Sequence, residues 1–334
     1  MHIGKELQAL SDSRNFRFLT CLEPRAIYYL FTAILLVIVF LLPNASCSTE
    51  NENGGQIGVV VTILPQKEFV KQVAEDKVDI TVMVQPGASP HTYEPTPSQM
   101  MAVAQADLYL KVGSGVEFEL AWMDKLISQN KDMLVVDCSD GIQLIEMSAN
   151  HEHEEESHEY DNDHESDEHH HHEGMDPHIW MSPSNAMMMV ENTCEGLIKI
   201  DPDNRAFYES NRDDYLNRLT QVDRELEKGL GEVTNRVFMV YHPAFGYLAR
   251  TYGLTMLPIE AEGKEPTAAG LAKLIDQARE HDIKVIFAEP QFDPKKAKAI
   301  AEEIGGKVVT IDPLAEEYVE NIITIKNALI DAME

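Results

Sequence analysis

The chain has 334 residues, of which 44 % are hydrophobic, so it is long enough for two domains with cores of their own. Its formal net charge of -30 argues against a nucleic acid as partner, because the phosphates would be repelled. Cations are the natural ligands of so acidic a chain.

The first 55 residues are predicted to be a signal or anchor segment followed by a linker. Four basic residues precede an apolar run at 27–42, which is shorter than the roughly 20 residues of a membrane-spanning helix. Basic residues on that side predict that the rest of the chain lies outside the cytoplasm. Cys47 follows small residues, as in a lipoprotein processing site, but Asn44 stands where leucine is usual. A lipid at Cys47 and an uncleaved anchor therefore both stay open.

From residue 56 onward, β-rich segments alternate with helical segments, which predicts a parallel sheet covered by helices. The first series forms a predicted N-terminal lobe at 56–182. Its strands are expected at 57–62, 78–84, 107–112 and 133–137, and its helices at 65–75, 97–106 and 116–128.

An acidic, histidine-rich insertion is predicted at 150–174 within this lobe. It has almost no apolar residue to bury, so we expect a solvated loop that collects divalent cations loosely; a charged run without a role is the alternative. Its histidines are His151, His153, His158, His164, His169, His170, His171 and His172. Directly after it, His178 stands between Asp176-Pro177 and the apolar Ile179-Trp180, and is expected to be held in place.

Residues 183–232 are predicted to form a connecting helix. Its periodic apolar positions run from 186 to about 230, roughly 45 residues that would span about 65 Å at 1.5 Å per residue, and Asp201-Pro202 marks the point where the helix could kink or restart. A second alternating series follows at 233–334 and predicts a C-terminal lobe built like the first. Its strands are expected at 237–241, 254–259, 283–288 and 307–311, and its helices at 243–252, 267–281, 294–304 and from 314.

Candidate metal ligands follow the predicted strands, where ligands bind in open α/β sheets. His91, His242 and Asp312 each follow a strand, and His178 ends the loop that follows another. Three imidazoles and one carboxylate form a four-coordinate set that zinc accepts. Glu289 is the alternative to Asp312, and we favour it as an outer acceptor that orients an imidazole.

The two cysteines within the lobes, Cys138 and Cys194, are expected to be small buried residues. A disulfide between them stays open, because an extracytoplasmic compartment is oxidising.

Five motifs occur in order from residue 87 to residue 314. They are GASPHTYEP at 87–95, DPHIW at 176–180, YHPAFGY at 241–247, FAEPQF at 287–292 and IDPL at 311–314. Together they resemble the solute-binding lipoproteins of zinc and manganese ABC importers. The resemblance implies an α/β fold of two Rossmann-like parallel-sheet lobes joined by a long rigid helix. It also implies a metal in the interlobe cleft, with His91, His178, His242 and Asp312 as ligands.

The resemblance points to zinc as the transported ligand. Manganese-type members usually have glutamate at the position of His242, and imidazole suits zinc better than manganese, although copper and nickel accept it too. The implied protein is extracytoplasmic, attached through its N-terminus or periplasmic, monomeric, and a partner of an importer permease and its ATPase. A member of the same family that binds manganese or another divalent metal is the alternative. A secreted zinc hydrolase is less favoured, because the chain has no HExxH motif and four protein ligands would close the site.

Overall fold

The computed structural model describes residues 56–147, 174–260, 264 and 266–334. The predicted signal or anchor segment with Cys47, and the eight histidines of the insertion, lie outside these residues. Within the described ranges, no helix is both long enough and apolar enough to cross a membrane.

The first lobe is a four-stranded, fully parallel sheet in the order β2-β1-β3-β4. Its elements are β1 (Ile57–Val61), α1 (Leu64–Ala74), β2 (Val78–Val82), α2 (Pro97–Gln105), β3 (Leu108–Lys111), α3 (Glu117–Gln129) and β4 (Leu134–Asp137). Strand β1 is valine-rich and its last three residues are almost fully buried, as expected for a strand covered on both faces. Helix α2 begins at a reciprocal cap, in which Thr96 and Gln99 each accept the other's backbone N–H.

The segment between the lobes consists of two helices, α4 (Pro183–Ile200) and α5 (Arg205–Glu232). Asp201 precedes a proline and has an extended φ of -138°, because an α conformation there would clash with the proline ring. Helix α4 covers the first sheet, since Gly196 lies against Leu108, Leu110 and Val136. The connecting helix expected over 183–232 is therefore α5 alone, which spans about 42 Å at 1.5 Å per residue.

The second lobe repeats the first, with a parallel sheet in the order β6-β5-β7-β8. Its elements are β5 (Val237–Val240), α6 (Gly246–Tyr252), β6 (Thr255–Pro258), α7 (Ala268–Glu280), β7 (Val285–Ala288), α8 (Pro294–Glu303), β8 (Lys307–Thr310) and α9 (Tyr318–Met333). The predicted duplication of one architecture is confirmed. Helix α9 begins later than expected because Leu314 donates its backbone N–H to the Asp312 carboxylate, which makes a turn there.

The hydrophobic core runs without interruption from the first sheet, past α5, to one face of the second sheet. The ring of Phe69 in α1 meets that of Tyr318 in α9 edge-on, with centroids 5.1 Å apart. Glu68 accepts hydrogen bonds from the Tyr215 hydroxyl and the Tyr318 backbone N–H, and the Trp180 indole donates to the Pro313 carbonyl at 2.7 Å. The two lobes therefore share one core.

Candidate metal centre

Three of the predicted ligands, His91, His178 and His242, meet between the lobes. His91 comes from the loop after β2, His178 precedes α4, and His242 follows β5. The Nε2 atom of His242 lies 3.3 Å from Nε2 of His91 and 3.2 Å from Nε2 of His178. Two nitrogens bound tetrahedrally to one zinc ion at about 2.0 to 2.1 Å are about 3.3 to 3.4 Å apart. The spacing of these imidazoles therefore matches two edges of a tetrahedral zinc site.

Each of these imidazoles bonds a carboxylate through its other ring nitrogen, Nδ1. The pairs are His91 with Glu117 at 2.8 Å, His178 with Asp176 at 2.8 Å, and His242 with Glu260 at 2.6 Å. A carboxylate at Nδ1 favours the tautomer with its proton there, which leaves a lone pair on Nε2. The lone pairs of the three Nε2 atoms then face one another and repel. A cation or a proton bound between them removes this repulsion.

These three carboxylates were not predicted from the sequence. Asp176 carried a local signal, because it stands two residues before His178, where its Oδ1 also accepts the His178 backbone N–H at 2.9 Å. Glu117 and Glu260 lie far in sequence from the histidines that they contact, so no spacing pattern pointed to them.

The pKa values of His242 and His91 are shifted in opposite directions. Burial lowers the pKa of His242 to about 4, against the opposing effect of Glu260. Burial also acts to lower the pKa of His91, but the hydrogen bond and the negative charge of Glu117, together with the charge of Glu260, outweigh this and the pKa is raised. Burial acts to raise the pKa of Glu117, but the same hydrogen bond and the charge of His91 together hold it below its usual value. His242 therefore stays a neutral imidazole over a wide pH range, whereas His91 takes up a proton more readily.

Asp312, the predicted fourth ligand, is not part of the histidine cluster. Its Oδ1 accepts hydrogen bonds from Gln291 Nε2 at 2.8 Å and from the Leu314 backbone N–H at 2.9 Å. Direct ligation by Asp312 stays a prediction.

Glu289 lies next to His242 but bonds its backbone, not its ring. Its Oε2 accepts the His242 N–H at 3.3 Å, while Oε1 has no partner within the described part of the chain. Burial raises the pKa of Glu289 well above its usual value. The orienting role expected of Glu289 belongs to Glu260, because Glu260 reaches the Nδ1 atom of His242.

Apolar side chains pack around the cluster and form much of the wall of a pocket whose cavity volume is about 20 Å³. The Phe292 ring stacks on the His242 ring with centroids 4.9 Å apart, and Trp180 meets His178 edge-on at 5.3 Å. His178 and His242 are almost fully buried. Such walls exclude water and strengthen the attraction between a cation and its ligands.

The donor set fits zinc. Zn²⁺ takes neutral imidazole nitrogens, and Cu²⁺ and Ni²⁺ accept them too, whereas Mg²⁺ and Ca²⁺ prefer oxygen ligands. A second cluster of possible ligands, Glu68 with Glu317 and Glu320, offers only carboxylates. Both carboxylate oxygens of Glu68 already accept hydrogen bonds from the protein. The histidine cluster is therefore the candidate site.

Comparison with known proteins agrees with this chemistry. A family model described as the periplasmic component A of a zinc-uptake complex matches residues 59–333. The high-affinity zinc uptake system protein ZnuA of Bacillus subtilis is 35 % identical over 289 residues, which cover 86 % of this chain and 87 % of that protein. The zinc-binding lipoprotein AdcA of Streptococcus pneumoniae is 30 % identical over 84 % of this chain, which spans about half (55 %) of its length.

A solved structure of a ZnuA deletion mutant with zinc bound superposes with a TM-score of 0.74 at 35 % identity, covering 83 % of this chain and 98 % of that one. The two-lobed fold and the family resemblance are both confirmed. From Val59 to Met333, this chain belongs to the family of periplasmic zinc-uptake components.

Proposed function

We propose that the protein captures Zn²⁺ outside the cytoplasm and delivers it to the permease of an ABC importer, whose ATPase drives uptake. The observation that carries this proposal is the set of three imidazole nitrogens between the lobes, two of whose separations match edges of a zinc tetrahedron. Relatives named for zinc uptake and zinc binding support it.

The lobes hold the ligands before the metal arrives. Each imidazole is fixed by a carboxylate, so little ordering entropy opposes binding. His91 is more exposed than the other two histidines and gives an entering cation its first contact. The formal charge of -30 attracts cations toward the protein.

The choice of metal follows from the donor atoms. A manganese-binding function is the alternative within the family, and it would be favoured by oxygen ligands, whereas the cluster offers nitrogen. We therefore propose selection of zinc over manganese, with less discrimination against copper.

A hydrolytic function is the alternative from another class. It would need a carboxylate free to act as general base beside the metal. The carboxylates that reach the imidazoles, those of Glu117, Asp176 and Glu260, are each engaged by an imidazole nitrogen. Glu289, whose Oε1 has no partner among the described residues, is buried and does not line the pocket. We propose binding without catalysis, and turnover of peptide or ester substrates by the zinc-loaded protein would contradict it.

The parts outside the described residues complete the proposal. Attachment to the membrane through the N-terminal segment, with Cys47 as candidate lipid site, would keep the protein near its permease. The eight histidines of the insertion would collect zinc weakly near the tight site. We propose that the protein acts as a monomer.

The test is metal analysis of untagged protein purified without chelators, followed by competitive titration with Zn²⁺ and Mn²⁺. We expect one tight site that prefers zinc and is lost in His242→Ala. His281→Ala is the matched control, because His281 is an exposed histidine at the end of α7. A tight site that survives His242→Ala, or that prefers manganese, would contradict the proposal.

A further inference from the structure

Gln291 links the metal pocket to Asp312. It follows β7 by three residues and lines the pocket that contains the three histidines. Its Nε2 donates to Asp312 Oδ1 at 2.8 Å. Its Oε1 is buried and finds no hydrogen-bond donor among the residues that the structure describes.

An unpaired buried carbonyl oxygen is unfavourable, and proteins almost always satisfy such atoms. The imidazoles do not supply the missing donor, because their Nδ1 atoms face carboxylates and their Nε2 atoms face one another. The amide cannot simply turn over, since its NH₂ group is held by Asp312. Because Gln291 lines the pocket, a molecule that enters the pocket would supply the donor that Oε1 lacks among the described residues.

A zinc ion bound by three imidazoles has a fourth position to fill. A water molecule there carries two polarised O–H groups that need acceptors. An amide oxygen is a poor zinc ligand compared with nitrogen, sulfur or carboxylate, but it is a good acceptor for such a water. Gln291 lines the pocket and Asp312 does not. Of the two residues, Gln291 is therefore the one that a molecule in the pocket would contact.

We propose that Gln291 takes part in zinc binding through water, because its Oε1 accepts a hydrogen bond from a water molecule that completes the coordination of zinc. Asp312 is then a positioning residue, which acts through the amide of Gln291. This inference rests on the proposed function, since it requires zinc at the three histidines. It reassigns Asp312 from the metal to its surroundings.

Two variants with a matched control test the role of Gln291. In Gln291→Leu the acceptor is gone, and zinc affinity should fall roughly tenfold or more, as for a hydrogen bond to a charged group. Gln277→Leu is the control, because Gln277 also has a buried Oε1 with no partner within the described residues but lies in α7, away from the pocket. Its zinc affinity should match that of the unaltered protein. Equal affinity of the two variants would overturn the proposal.

The Asp312→Asn variant distinguishes a positioning role of Asp312 from direct ligation of zinc by Asp312. An asparagine oxygen can still accept the hydrogen bonds of Gln291 and Leu314, so the zinc affinity should stay within about threefold. If Asp312 were a ligand, the loss of its negative charge would weaken zinc as severely as His242→Ala does. That result would overturn the water-mediated arrangement.

The visible absorption spectrum of the Co²⁺-loaded protein is a readout that would not change if the role of Gln291 were purely structural. Azide should displace a coordinated water and change the visible absorption spectrum of Co²⁺ saturably, and Gln291→Leu should alter the starting spectrum while Gln277→Leu should not. A spectrum that azide leaves unchanged would show that the protein itself fills the fourth position. Failure of the unaltered protein to bind Zn²⁺ or Co²⁺ would instead refute the proposed function, so the two failures are distinguishable.

Discussion

The α-carbon of Gly246 lies so close to the carboxylate of Asp176 that a methyl group on it would sit 2.2 Å from Oδ2. Gly246 begins α6 in the second lobe, whereas Asp176 belongs to the first lobe and orients His178 through Oδ1. Only a glycine allows this approach. The geometry of His178, a candidate metal ligand, therefore depends on the packing of the opposite lobe.

Gly246→Ala should weaken zinc binding, because the new methyl group must displace the carboxylate that orients His178. Loss of an outer partner of a metal-binding histidine typically weakens metal affinity about 10- to 100-fold. Gly231→Ala is the control, since a methyl group there meets no described atom within 4 Å. It should leave affinity unchanged and stabilise α5 by about 0.5 to 1 kcal/mol. Competitive zinc titration and thermal unfolding of both variants check the prediction.

Tyr247→Phe should also lower zinc affinity, by a smaller factor. The Tyr247 hydroxyl donates to the Asp176 carbonyl at 3.1 Å and accepts the Ile145 N–H at 3.2 Å, so it holds the segment that carries Asp176. Tyr252→Phe is a matched control in the same helix, because the Tyr252 hydroxyl bonds Asp223 instead. Both variants should lose about 1 kcal/mol of stability, but only the first should bind zinc more weakly. If the two variants gave identical zinc titrations, the result would contradict a positioning role of Tyr247.

The apo protein should lose stability between about pH 6.5 and pH 4 through His242. Its pKa is lowered to about 4 in the folded protein, so the unfolded chain takes up a proton in this window that the folded protein refuses. This contribution to stability is fully present above the pKa of His242 in the unfolded chain, and it is lost as the pH falls. The contribution is at most about 1.4 kcal/mol per pH unit. Chemical unfolding of the apo protein and of His242→Gln across this range should show a shallower pH slope for the variant.

As the pH falls, protonation of His91 should weaken zinc binding before His242 is protonated. The raised pKa of His91 means that this ligand binds a proton above about pH 6.5, while His242 stays neutral. We therefore expect zinc affinity to fall about tenfold per pH unit at first, as for one competing proton. Titrations from pH 8 to pH 5 measure this slope, and an initial slope near three would mean that the three imidazoles protonate together.

Cys138 and Cys194 should resist thiol reagents in the folded protein. Both are free and fully buried, and burial raises the pKa of Cys138 to about 12 and of Cys194 to about 11. Because the thiolate is the reactive form, alkylation near neutral pH should require unfolding. Iodoacetamide labelling with and without denaturant, quantified for each peptide, checks this. Rapid labelling of either peptide in the native protein would contradict the buried assignment.

The elements could be predicted from the sequence because their signals are local. Valine-rich strands and capped helices such as α2 carry their pattern within about ten residues. The histidines were found because strand ends converge at one edge of a parallel sheet. The partnerships of Glu117 with His91 and Glu260 with His242 depend on tertiary packing, which no periodicity reports. The same holds for the division of the connecting segment, where α4 packs on the first sheet and α5 alone continues to the second lobe.

The shared core affects how the protein can report its cargo to a permease. A wide hinge motion of the lobes would separate Phe69 from Tyr318 and bring both rings, which are at most 1 % exposed, into contact with water. Burying such a ring contributes about 1.5 to 3 kcal/mol, so wide opening is strongly disfavoured. The empty and loaded forms will then have nearly the same outline. A permease that distinguishes them must sense small displacements at the rim of the pocket, where His91 lies, and not a change in overall shape.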